Sequence, residues 1–243
     1  MRVSIVCCYN DADKFGEFCN SLETQTEKAE LIALDNRDGK YSSNAKALND
    51  GIKRVKTEFV VFSHQDILFR QTDNLERFVD HMAQLQLGDI LGVAGATKED
   101  KGVYTNVCVN SEGEFAGARR VEGIMKVQSV DECFFGGKTD SFIQYPFDEK
   151  VCDNWHLYAI DWALDASRRG HLAYACDVSV VHPSRGNINR AYNVGFLRLC
   201  KKYAADIDFI RTTIVFSKTG FFHRWYVFLK HEAGRTVRRI RGL

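Results

Sequence analysis

Three polar clusters end apolar runs in the first third of this 243-residue chain. They are Tyr9-Asn10-Asp11 after Val3 to Cys8, Asp35-Asn36 after Leu31 to Leu34, and His64-Gln65-Asp66 after Phe59 to Phe62. Short apolar runs of this kind read as buried strands, and in an open α/β sheet ligands bind beyond the carboxyl ends of the strands. An acid at one strand end often only caps the next helix, whereas three polar ends in succession describe a cleft. Carboxylates there suit a divalent cation; Mg2+ is typically held by one or two of them, with substrate phosphates completing its shell. Asp66 follows a run too apolar to be anything but core, which positions its carboxylate firmly. Neither G-x-G-x-x-G nor G-x-x-x-x-G-K-[ST] occurs, so a dinucleotide site or a P-loop is not expected. A diphosphate would depend on the cation instead.

The elements that must position these residues alternate. Phe15, Phe18, Cys19 and Leu22 recur at helical spacing after the first run. A second helix with Ala45, Leu48, Ile52 and Val55 inside is capped by Ser42 or Ser43, and a third, with Leu75, Phe78, Val79, Met82 and Leu85 inside, is capped by Thr72. Ile90 to Ala94 reads as a fourth strand. The alternation predicts an α/β fold with a doubly wound, mostly parallel sheet and right-handed crossovers. Beyond it, Val103 to Val109 and Phe115 to Val121 flank Asn110-Ser111-Glu112-Gly113-Glu114 as a hairpin. A helix is expected from about Asn154 to Arg169, then a strand from Leu172 to Val181 ending at His182. The prolines, Pro146 and Pro183, mark no linker between domains.

Composition excludes some partners. With 33 basic and 32 acidic residues the net charge is +1, which gives no support for nucleic-acid binding. The eight cysteines contain no C-x-x-C pair and mostly lie in apolar runs, so they read as buried free thiols in a reducing compartment. No signal peptide and no run approaching ~20 apolar residues is evident, and a cytoplasmic protein is expected. From Phe221 to Leu243 six Arg or Lys face one acid, Glu232. Joined to the aromatics between Phe221 and Phe228, they suit an anchor on an anionic membrane surface at residues 221–241; a helix packed on the protein or on a second subunit is the plainer alternative.

The order of these pieces resembles an A-type glycosyltransferase of the family 2 kind over roughly residues 2–190. Ser4-Ile5-Val6-Cys7-Cys8-Tyr9-Asn10 is similar to the family's opening strand, with Cys7 in place of a proline, and Asp35-Asn36 to its second-strand acidic pair. Asn44-Ala45-Lys46-Ala47-Leu48-Asn49-Asp50-Gly51 and Glu58 to Asp66 resemble the helix and strand leading to the D-x-D motif. Phe147-Asp148-Glu149, Asp161 with Gly170, and Val181-His182 resemble the acceptor segment and closing strand. The resemblance implies a catalytic unit at 1–205, with a nucleotide-binding part to about residue 100 and an acceptor-binding part over 101–190. A helical extension at 206–243 follows.

It implies transfer, with inversion, from a nucleoside diphosphate sugar to a saccharide or lipid-linked acceptor, in polysaccharide or glycoconjugate synthesis at the inner face of the membrane. Asp35 would bond the base, with Tyr9, Asn10, Asn36, Asn44 and Gln65 around the donor. Asp66 and His182 would hold Mn2+ or Mg2+. His64 stands where the first acid of D-x-D belongs and would ligate the metal or meet the ribose. The usual Glu-Asp pair is replaced by Tyr158-Ala159, which leaves Asp161 as favoured base, then His156, then Asp148 or Glu149. Trp155 with Tyr158 would offer an apolar platform to a sugar, and Arg185 would offset the diphosphate's charge. A nucleotidyltransferase, or a donor-binding scaffold without catalysis, are the rival readings.

Overall fold

A computed structural model describes the backbone of residues 1–183 and 188–240, and side chains up to residue 236. Arg185 and Arg241 lie outside the described residues. The chain runs β1 (Val3–Tyr9), α1 (Ala12–Glu23), β2 (Ala29–Asp35), α2 (Asn44–Ile52), β3 (Phe59–Ser63), β4 (Leu68–Phe69), α3 (Asn74–Ala83), β5 (Ile90–Gly92), β6 (Ala94–Ala96) and β7 (Val103–Thr105). It continues β8 (Ile124–Val127), β9 (Ser129–Val130), β10 (Phe134–Lys138), α4 (Thr139–Gln144), α5 (Tyr158–Arg168), β11 (Ala173–Cys176), β12 (Val180–Val181), α6 (Arg190–Lys202), β13 (Phe209–Arg211), β14 (Phe216–Lys218) and α7 (Phe221–Ile240).

The central sheet has seven strands in the order β2-β1-β3-β10-β5-β11-β8. β1 pairs in parallel with β2 and β3, in the register Tyr9 to Asp35 and Cys7 to Ser63, so the three polar strand ends finish at one edge. β10 then enters antiparallel between β3 and β5. Its Gly136 is required by close approach: a Cβ there would lie 2.2 Å from the Val60 carbonyl oxygen. Apolar side chains cover both sheet faces, Val6, Phe62 and Phe135 on one and Ile5, Val61 and Phe134 on the other. A third cluster, around Leu164, Phe196, Leu199 and Tyr203, joins α5 to α6.

Several expected boundaries move. The strand at 90–94 divides at Val93 into β5 and β6, which belong to different sheets, and the one expected over 172–181 divides into β11 and β12. The hairpin is reduced to its tip, a bridge of Cys108 with Phe115 and Val109 N–H donating to Glu114 O at 2.7 Å, while β7 pairs with β6. Helix α5 starts at Tyr158 rather than near Asn154, because Leu157 adopts a left-handed φ of 71° that ends the preceding loop. Ser43 caps α2 through Lys46 N–H. At α3 the cap position is Asp73, not Thr72, and its side chain makes no capping bond; the side chain of Gln25 instead accepts from Leu75 N–H at 3.0 Å. All eight cysteines are free thiols.

Candidate active site

The strand ends open into a cleft of about 250 Å³ lined by Cys8, Tyr9, Asn10, Asn36, Asn44, His64, Gln65, Asp66, Trp155 and His182. The floor is built by Gln65. Its Oε1 accepts from the N–H groups of Asn10 and Asp11 at 2.9 Å each, and its Nε2 donates to Asn10 Oδ1 at 2.8 Å. One amide thus staples the end of β1 to that of β3. Asn36 is buried and its Oδ1 accepts from Tyr41 N–H at 2.6 Å. Asn44 opens α2, so the positive end of that helix dipole lies in the cleft wall.

Three of the lining residues form a triad. His182 Nε2 lies 3.3 Å from His64 Nδ1 and 3.3 Å from Asp66 Oδ1. A ligand atom from each of the three residues falls within 4.8 Å of the others. Burial, with His182 alongside, lowers the His64 pKa to about 4, which keeps its imidazole neutral. The Asp66 carboxyl is held below its usual range, since the hydrogen bond to His182 and the neighbouring imidazoles outweigh its burial. Two neutral-capable imidazoles and one carboxylate are a donor set that a divalent transition ion accepts.

Other expected site residues are placed differently. Asp35 does not line the cleft; Arg37 grips it with Nε at 3.0 Å to both oxygens and Nη2 at 2.6 Å, which holds the carboxyl well below its ordinary range. Trp155 stands at the rim, 42% exposed. Tyr158, expected beside it as a platform, is buried and instead meets His64 Nε2 through its hydroxyl at 3.0 Å. Asp161 is also buried. Lys202 donates to its two oxygens at 2.8 and 2.9 Å and the Tyr203 hydroxyl to Oδ1 at 2.9 Å, so its acceptors face α6 and not the cleft.

Asp148 and Glu149 line a separate groove with Ile52, Phe142 and Phe147. Asp148 accepts from Lys202 at 3.0 Å and Glu149 from Asn49 at 2.9 Å. His156, half-buried next to Trp155, has its pKa lowered by burial. Asn189, whose Oδ1 caps α6 at Tyr192 N–H, donates through Nδ2 to His156 Nε2 at 3.2 Å.

Sequence reasoning missed Lys202, Tyr158 as a partner of His64, and the pair Asp131-Glu132 just behind the triad. Asp131 accepts from the Thr213 hydroxyl at 2.5 Å. Glu132 is buried with an Oε1 that has no partner among the described residues, and burial pushes its carboxyl well above the usual range. Two adjacent acids before the apolar run of β10 were the available signal.

Residues 4–182 match the model of the glycosyltransferase-like family. A relative from Fuscovulum blasticum, described as ATP synthase subunits region ORF 6, is 24% identical over 211 residues and covers 84% of each chain. Among solved structures, the mannosyltransferase PcManGT from Pyrobaculum calidifontis in complex with GDP-Man and Mn2+ is similar with a TM-score of 0.57 at 16% identity, over 84% of this chain and 62% of that one. GalNAc-T7 with UDP, GalNAc and Mn2+ gives 0.57 at 9% identity, over 84% and 51%. TarS from S. aureus in complex with UDP-GlcNAc gives 0.53 at 13% identity, over 82% and 66%. The chain therefore spans between half and two thirds of these structures, and they establish the fold, that of the A-type glycosyltransferases. The family match begins in β1 and ends on the cleft histidine His182; this chain belongs to the glycosyltransferase-like family.

Proposed function

We propose that the protein transfers a sugar, with inversion, from a nucleoside diphosphate sugar to a saccharide or lipid-linked saccharide acceptor. The observation that carries this reading is the His64-Asp66-His182 triad in a cleft formed by three strand ends. Asp66, His182 and His64 would hold Mn2+ or Mg2+, which when bound supplies positive charge to the departing diphosphate. Tyr9, Asn10 and Asn36 border the nucleoside, with Asp35 and Arg37 at its outer edge. The N-terminus of α2 at Asn44 faces the phosphates, and Trp155 offers its ring to the sugar. Arg185 is proposed to add charge at the diphosphate.

For the base, His156 is preferred to Asp161. An acceptor hydroxyl must reach the base within about 3 Å; His156 follows Trp155 of the cleft lining and would have to exchange its single 3.2 Å bond from Asn189 for the acceptor, whereas the Asp161 carboxylate is buried and held by both Lys202 and Tyr203. A second reading, a donor-binding protein without turnover, is favoured by one fact: among the described residues, Asp66 supplies the only carboxylate lining the cleft.

No helix among the described residues is long and apolar enough to cross a membrane. α7 exposes Phe221, Phe222, Tyr226 and Leu229, each more than half exposed, beside Lys230. From this face we infer a peripheral contact with an anionic membrane surface through α7, the inner face of the membrane being the proposed location.

The test is a thermal-shift panel of nucleoside diphosphates with Mn2+, followed by donor hydrolysis. Stabilisation by a nucleoside diphosphate together with hydrolysis that falls at least about 100-fold in His156→Ala supports transfer. Stabilisation without hydrolysis favours the binding protein, and no stabilisation by any nucleotide sinks both.

A further inference from the structure

The hairpin of β13 and β14 has two unlike faces. Its register sets Phe209 against Lys218 and Arg211 against Phe216, and alternation along the strands sends these four side chains to one side. Ile210 and Ser217, which point the other way, are buried. Ring and cation therefore alternate over the outer face. Phe216 is 49% exposed with the Arg211 guanidinium 4.9 Å from its ring centre, and Lys101 stands 5.8 Å from that of Phe209. Arg211 Nε has no hydrogen-bond partner among the described residues. Asp208, the acid beside this face, is paired with Lys98 at 2.7 Å. The chain leads from β14 through Thr219 and Gly220 straight into α7, and Arg224 of that helix donates back to Thr219 O at 3.1 Å.

The inner face is fastened to the cleft. Two strands of three residues are marginal by themselves, and here their neighbours hold them. Gln128 donates to Phe209 O at 2.7 Å and accepts from Arg211 N–H at 2.8 Å, while the Ser129 hydroxyl donates to Arg211 O at 2.6 Å. At the turn, the Thr213 hydroxyl donates to one oxygen of Asp131, whose other oxygen accepts from Cys133 N–H at 3.1 Å. Cys133 O accepts in turn from His64 N–H at 2.9 Å. The Thr212 and Tyr192 hydroxyls lie 3.0 Å apart, and the Tyr192 ring stands edge-on to His156 with centroids 5.5 Å apart.

We propose that the outer face of this hairpin seats on an anionic lipid bilayer beside α7, and that the contact steadies His64 and His156 through Asp131 and Tyr192. The rings suit the interfacial layer, and Arg211 and Lys218 suit lipid phosphates. A bilayer that binds only the formed hairpin suppresses its opening by mass action, and the bonds that would open with it are those to Asp131 and Tyr192. The inference rests on the reading of α7 as a membrane contact and extends it from location to control of the cleft.

The experiment uses the full chain with Mn2+ and phosphatidylglycerol vesicles, with phosphatidylcholine vesicles and soluble glycerol phosphate as separate arms, and follows amide hydrogen exchange. With phosphatidylglycerol at about ten times its half-saturating concentration, exchange over residues 209–216 should slow about tenfold, and the protection should extend to residues 189–193. Phe216→Ser should weaken vesicle binding about tenfold and Arg211→Gln about fivefold. Tyr192→Phe and Thr213→Val leave the outer face intact; both should still bind vesicles, and in Tyr192→Phe the protection should stop at the hairpin. Hydrolysis of GDP-mannose or UDP-N-acetylglucosamine, whichever the chain turns over, should rise with the lipid and lose that rise in Thr213→Val; if neither is turned over, exchange alone decides. Vesicle binding without slowed exchange in the hairpin overturns the proposal and leaves the α7 contact standing. So does equal protection by phosphatidylcholine or glycerol phosphate, or protection that grows with protein concentration in the absence of lipid, the mark of a second copy. No vesicle binding by the unaltered chain removes the α7 contact as well.

Discussion

Replacing Asp161 by Asn separates a structural ion pair from a catalytic base. Lys202 Nζ lies 2.8 and 2.9 Å from the two oxygens of Asp161, whose side chain is 4% exposed, while that of Lys202 is 21% exposed. Stripping one partner from a buried pair costs about 3–5 kcal/mol. The partial exposure of Lys202 and its second bond, to Asp148, put Lys202→Met at the lower end, about 3 kcal/mol. A domain of this size loses about 2–4 °C per kcal/mol, so its midpoint should fall by about 6–12 °C. Asp161→Asn keeps an acceptor for the Tyr203 hydroxyl and leaves Lys202 with Asp148, which limits its cost to about 1–2 kcal/mol. The double variant should be less destabilised than the sum by about 1 kcal/mol or more, because the two side chains share one interaction. Urea unfolding of the four proteins gives the cycle, and donor hydrolysis well below every midpoint gives the rates. If Asp161→Asn has native stability and a rate about 10²- to 10⁴-fold lower, Asp161 is the base and the assignment to His156 fails.

Burial raises the Glu132 carboxyl well above 4.5, so the native state favours its protonated form. That contribution to stability is complete below the unfolded value and is lost as pH rises through the folded one. Glu132→Gln should therefore flatten the decline in stability above pH 4.5, measured by urea unfolding across pH; an unchanged slope refutes the assignment. Gly136→Ala should cost about 3 kcal/mol, because its Cβ meets the Val60 carbonyl oxygen, which belongs to backbone and cannot swing aside; near-native stability would show that β10 is not so tightly inserted. Replacing Phe222, Trp225 and Tyr226 together by Ser should abolish co-sedimentation with phosphatidylglycerol vesicles, and salt should weaken the unaltered protein's binding. Unchanged sedimentation of the variant would remove α7 as the anchor.

The strand ends were legible because each follows a run of side chains that has nowhere to go but the core. Asp66 and His182 could be named for that reason, although His64 and His182 are 118 positions apart. What could not be read is pairing at a distance. Nothing local marks β10 as the neighbour of β3, and nothing in the spacing of Asp161 announces Lys202, 41 residues later. Tyr158 was misplaced for a more local reason. The left-handed turn at Leu157 sets the start of α5 and with it the direction of every side chain that follows. A helix begun at Asn154 would put Trp155 and Tyr158 on one face; the start at Tyr158 leaves Trp155 in the preceding loop and Tyr158 buried beside His64. Asp35 is visible as an acid at a strand end, but its grip by Arg37 depends on the turn that follows β2.

The insertion of β10 also decides what can be cut from this protein. Were the first hundred residues expressed alone, β3 would lose its partner and become an open edge, with the run Phe59-Val60-Val61-Phe62 bare along one side. An apolar, uncharged edge of that kind recruits other chains. The part that carries Tyr9, Asn10 and Asp66 thus does not stand alone, and a ribosome must deliver Phe134 to Lys138 before that edge can be closed. Any chimaera that replaces the chain beyond residue 100 has to bring its own version of that strand.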